Sequence, residues 1–114
     1  MPVKKNPLRL NKLQLRTLAL AQVLAGQEGI ATKDEATGNV TIHHLPRAHG
    51  THVHIGPFVV SSRDASGFSN PAVWRVLIRK ELARMDDIMS VTLTADGVSY
   101  DTGMSDRFIA PSDH

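Results

Sequence analysis

The 114-residue chain contains no cysteine and only five aromatic residues: three Phe, one Tyr and one Trp. Lack of thiols excludes disulfides, thiolate zinc sites and cysteine nucleophiles together, and suits a reducing, cytoplasmic compartment. With so few aromatics, base stacking of the kind used by RNA-binding sheets has little to work with. No apolar run approaches the roughly 18 residues of a membrane-crossing helix, so no membrane partner is expected. Lys4, Lys5, Arg9, Lys12 and Arg16 precede an apolar stretch at 18–25 in the manner of a secretory signal. Gln22 interrupts that stretch, which reads instead as a helix of the mature chain. No Gly-rich phosphate loop, Ser-His-Asp grouping or pair of carboxylates at helical spacing is present, and neither catalysis nor a cofactor is expected. Asp101-Thr102-Gly103 matches the aspartic-protease tripeptide, but only 11 residues follow it, so it reads as a turn.

What the chain does have is charge that is unevenly placed. Formal net charge is +2, yet residues 1–84 hold 12 of the 13 basic and 5 of the 11 acidic residues, a local +7, leaving −5 for 85–114. A basic body with an acidic end suits a polyanionic ligand or pairing between the two parts. By length the chain is one domain able to bury its own core. It divides into a basic extended arm at 1–10, a single α+β domain at 11–104 and a tail at 105–114.

The first helix is expected from Asn11 to about Ala25, with Asn11 and Gln14 placed as a capping box and Gly26 as its stop. Leu10, Leu13, Thr17, Leu20 and Leu24 form one stripe, which Leu15, Leu18 and Val23 widen until the helix is buried on more than one side. Residues 27–39 read as a loop. Residues 40–45 and 52–60 are β-rich and are expected to pair as an antiparallel hairpin. A Ser- and Gly-rich connection at 61–69 leads to the second helix, over 72–84, with Asn70 as N-cap and Pro71 at the first position. Its inward face carries Val73, Trp74, Leu77, Ile78, Leu82 and Met85, with Glu81 intruding. Its outward face carries Arg75 and Arg79, flanked by Lys80 and Arg84. After it, residues 88–94 and 98–103 are expected to pair around Ala95-Asp96-Gly97, where Asp96-Gly97 is a two-residue hairpin signal.

Residues 73–84 followed by Leu93-Thr94-Ala95-Asp96-Gly97 resemble the recognition helix and wing of winged-helix proteins, which often show a "V…L..KGL" helix end and an "LT..G" wing. Gly67 and Val73 have the spacing of the turn glycine and buried aliphatic of a helix-turn-helix. Glu81 stands where the family usually has glycine, and Arg63 where it usually has a small residue. The fold implied is α+β and winged-helix-like: two main helices with a small antiparallel sheet of two hairpins.

That resemblance and the charge pattern imply a double-stranded DNA partner. Arg75 and Arg79 would face the major groove, Lys80 and Arg84 the phosphates, and Lys4, Lys5, Arg9, Lys12 and Arg16 the backbone. A protein-interaction or self-associating accessory domain is the alternative. A third reading starts from the expected hairpin, which would collect His43, His52 and His54 on one face. Three imidazoles can supply a zinc or nickel site, whereas a polar strand face of neutral histidines accounts for the same pattern without metal.

Overall fold

The computed structural model describes residues 6–46, 50–55, 58–85, 90–103 and 110–111. Its hub is the first helix, α1 (Lys12–Ala25). Asn11 accepts from the Gln14 amide at 2.8 Å and the Gln14 side chain accepts from the Asn11 amide at 2.9 Å, so the expected capping box forms. Thr17, Leu18, Ala19, Leu20 and Ala21 are all buried in succession, as only a helix covered on every side can be. What covers it is nearly everything else: the second helix, the turn before it, and strands of two sheets.

The larger sheet has four strands: β1 (Ala31–Lys33), β2 (Val40–Ile42), β5 (Ala83–Arg84) and β6 (Val91–Leu93). Their order is β1-β2-β6-β5, each pair antiparallel. Alternation sets its two faces. Val40, Ile42, Val91 and Leu93 are buried against α1, while Thr41 and Thr92 pair on the other face with hydroxyls 2.9 Å apart. The smaller sheet has order β3-β4-β7, from His52–Ile55, Phe58–Ser61 and Ala110–Pro111. Val53, Ile55 and Val60 are its core residues.

The expected hairpin of 40–45 with 52–60 therefore does not form. β2 pairs with β1 and β6, and the stretch 52–60 folds on itself as β3 and β4, with Val53 opposite Val60. The sequence of that run contains the dipeptide Gly56-Pro57, a pairing that marks turns.

The second helix, α2 (Pro71–Arg79), starts as expected: Asn70 caps the Ala72 amide at 3.0 Å and Pro71 is the first helical residue. Trp74 stacks on Phe68 with ring centroids 6.2 Å apart and planes 6° off parallel. Its indole N–H donates to the Phe68 carbonyl at 3.0 Å, which satisfies the one polar atom of a buried ring. Phe68 itself belongs to a 3-10 turn, Ser66–Ser69, and not to the first helix of a regular helix-turn-helix.

α2 stops at Arg79, well short of the expected Arg84. Glu81 has φ +63°, its amide donates to the Ile78 carbonyl at 2.9 Å, and the Leu82 amide donates to the Leu77 carbonyl at 2.9 Å. Those two bonds are the pair that defines a Schellman ending, with Glu81 in the left-handed position and Leu82 packing back with Leu77 in the core. Leu82 and Met85 therefore reach the core from the segment after the helix, and Glu81 is exposed, not intruding on the apolar face. A left-handed backbone costs a residue with a Cβ roughly 1–2 kcal/mol. Glu81→Gly is expected to raise stability by about 1 kcal/mol in urea denaturation, midpoint up and slope unchanged.

The chain then enters β5, which pairs with β6 in the register Ala83↔Leu93 and Arg84↔Thr92. A hairpin does follow α2, but one strand earlier than expected. Ala95-Asp96-Gly97 is no turn between strands; it opens a third helix, α3 (Ala95–Ser99), capped by the Thr94 hydroxyl accepting from the Gly97 amide at 3.0 Å. Gly97 is needed there for proximity: a Cβ on it would lie 1.9 Å from the Leu82 carbonyl oxygen. The molecule is thus α+β, with three helices and two antiparallel sheets among the described residues.

Candidate nucleic-acid interface

On α2 the residues that do not face α1 are Pro71, Ala72, Arg75, Ile78 and Arg79, all exposed. Arg75 and Arg79 stand one turn apart at i and i+4, as the helical period requires. Lys80 caps the helix and is half-buried; Arg84 is exposed on β5, which lies at the edge of its sheet. The Schellman turn at Glu81 redirects the chain between them, so the cations of helix and edge strand come from one continuous helix-turn-strand unit.

The N-terminal cations are less uniform. Arg9 and Lys12 are exposed. Arg16 forms an ion pair with Asp64 at 3.4 Å, so part of its charge is already answered. Lys4 and Lys5 lie outside the described residues. From Asn6 onward the segment is fastened to the body: the Asn6 carboxamide bonds both backbone groups of Leu10, and Tyr100 donates its hydroxyl to Asn6 at 2.7 Å while accepting from the Leu8 amide at 3.1 Å.

The histidines are not gathered as the expected hairpin would gather them. His52 and His54 are neighbours on β3, ring centroids 5.0 Å apart and edge to face. His43 follows β2 in the other sheet, where its Nε2 lies 2.6 Å from the Thr32 hydroxyl. Among the described residues no group of three or more His, Asp or Glu side chains could hold a metal ion. Asp64, the carboxylate nearest to His52 and His54 in sequence, is the partner of Arg16.

A groove missed at the level of sequence adjoins the arginines. It holds about 420 Å³, and its walls are Phe68, Pro71, Trp74, Ile78 and Met85, with Ser69 and Arg75 as polar groups. Ile78, at 40 % exposure, is the large apolar side chain left open to solvent among the described residues. Helical periodicity places Ile78 on the buried face. It lies at that face's margin, and the groove exists because Phe68 and Met85 approach α2 from outside it.

No known protein family, characterised protein or solved structure matches the chain. Among the described residues no helix is long and apolar enough to cross a membrane.

Proposed function

We propose that this chain is a winged-helix-like module that binds nucleic acid, double-stranded DNA in particular, without catalysis. The observation that carries the reading is the exposed pair Arg75 and Arg79 on a helix that turns directly into the β5–β6 hairpin. An α-helix, about 10–12 Å across with its side chains, fits a major groove about 12 Å wide. Arg75 and Arg79 would address base edges or phosphates within it; Lys80 and Arg84 follow at its end and on the hairpin, where the resemblance places backbone contacts. Glu81, in the left-handed conformation that glycine serves in the family's "KGL" helix end, supports the same assignment. Arg9 and Lys12 lie exposed for additional backbone contact, whereas Arg16 contributes less because of Asp64.

The test is fluorescence anisotropy with mixed-sequence duplex DNA, titrated at low and at physiological salt. Binding is expected to weaken steeply with salt. Replacing both Arg75 and Arg79 with alanine is expected to weaken it at least tenfold and, where both meet phosphates, to reduce the salt slope by about two. Both side chains are exposed, so the variant keeps its fold. Equal affinity of variant and wild type would remove the proposed face, and no binding at low salt would remove the proposed function.

A further inference from the structure

We infer that the groove beside α2 is a binding site for a small amphipathic anion, an aliphatic monocarboxylate with its chain against Pro71, Ile78 and Met85, above the buried Trp74, and its carboxylate on Arg75. The groove's volume, about 420 Å³, lies in the range of roughly 300–1,000 Å³ typical of small-molecule sites. Its composition is also of that kind: apolar walls with one charged group to orient the ligand.

The walls state what the ligand's body must be. The Trp74 indole N–H is already bonded to the Phe68 carbonyl, so that ring places no polar demand on an occupant. Phe68, Pro71, Ile78 and Met85 offer carbon and sulfur, against which an alkyl chain is released from water at about 25 cal/mol per Å². Ile78 gains most, being the large apolar side chain exposed on that wall.

Arg75 states what the head must be. The guanidinium has neither an ion pair nor a hydrogen bond within the described residues, and a planar fork of donors matches a carboxylate in bidentate fashion. A neutral ligand would leave that charge unanswered; a phosphodiester would answer it but could not fill the apolar groove. The two requirements together select an alkyl carboxylate. A partner helix, some 10–12 Å across, does not fit within the groove itself. The inference stands apart from nucleic-acid binding and holds whether or not the chain binds DNA.

Trp74 is the only tryptophan in the chain, so its fluorescence reports on the groove directly. The experiment titrates the full chain, with no DNA present, with octanoate below its micellar range and in parallel with octanol. A saturable change with octanoate at lower concentration than with octanol is expected. Arg75→Gln is expected to weaken octanoate about tenfold, the worth of one charge-assisted pair, and to leave octanol unchanged. Ile78→Asp is expected to abolish both responses. Circular dichroism of the two variants confirms that the fold is retained. No saturable response, equal responses to acid and alcohol, or octanoate binding untouched by Arg75→Gln would each overturn the assignment. Sedimentation showing a dimer that Ile78→Asp disperses, with octanoate inert, would give the face to a second copy of the chain instead.

Discussion

Gly97→Ala is expected to lower stability by about 2–3 kcal/mol, and no partner substitution will restore it. Position 97 lies inside α3, where alanine is ordinarily preferred to glycine by about 1 kcal/mol. That preference is outweighed, because the added Cβ would lie 1.9 Å from the Leu82 carbonyl oxygen and 2.9 Å from its carbonyl carbon. Neither atom can rotate away. The Leu82 carbonyl is also committed, accepting from the Thr94 amide at 3.0 Å, while the Glu81 carbonyl accepts from the Thr94 hydroxyl at 2.7 Å. Relief therefore requires α3 to move off the turn that ends α2, and Gln22, which bonds the Gly97 and Tyr100 carbonyls from α1, would be pulled with it. A fall in melting temperature of about 10 °C, with an unchanged midpoint for the exposed control Ala95→Ser, is the expected result. A shift under about 2 °C would mean that α3 does not sit this close to Leu82.

Gly67→Ala is the contrasting case. Its Cβ would lie 1.8 Å from the Thr17 hydroxyl oxygen, 3.0 Å from Thr17 Cβ and 3.3 Å from Thr17 Cγ2, so the obstacle is a side chain. Thr17 is buried on α1 and its hydroxyl has no hydrogen-bond partner among the described residues. Crowding in a packed core costs typically 1–3 kcal/mol, and here about 2 kcal/mol is expected. Thr17→Ala removes both branches from Cβ, the Cγ2 methyl and the buried hydroxyl. In the double variant the loss is expected to be partly recovered, with a coupling of about 1 kcal/mol in a double-mutant cycle. Thr17→Ser, which keeps the hydroxyl, should recover little. Additive effects of the two alanine substitutions would show that the 3-10 turn and α1 are not in contact there.

These two glycines show where sequence reading succeeds and where it stops. The starts of α1 and α2 were legible because caps are local: Asn11 with Gln14 and Asn70 with Pro71 act within four residues. The end of α2 was not, since its left-handed position holds Glu81 and the sign that ordinarily marks it is a glycine. Asp96-Gly97 carried the sequence signature of a hairpin turn, but Gly97 serves a contact with Leu82, fifteen residues earlier in the chain. Strand pairing was misassigned for a related reason. Val40 and Ile42 announce a buried strand face, yet nothing in residues 40–45 says that the partner is 91–93. Arg75 and Arg79 were legible as exposed positions on a helix, whereas Arg84, expected on the same helix, lies on β5. The groove beside them was not, because it is made by residues on three separate segments.

Strand order also sets a timetable for folding. β6 lies between β2 and β5, so the two halves of the larger sheet stay unjoined until Val91–Leu93 is available. During synthesis α1, β1 and β2 emerge long before that, with Val40 and Ile42 lacking the strand they later pair with. Closing a loop from Ile42 to Val91 demands entropy before its contacts repay it, which makes such a nucleus slow and late. A chain cut just after β5 would keep α1, α2 and every arginine of the candidate interface but would lose the strand that joins the two halves of the sheet. The candidate interface is written in the middle of the chain, and the sheet beside it waits on the last third.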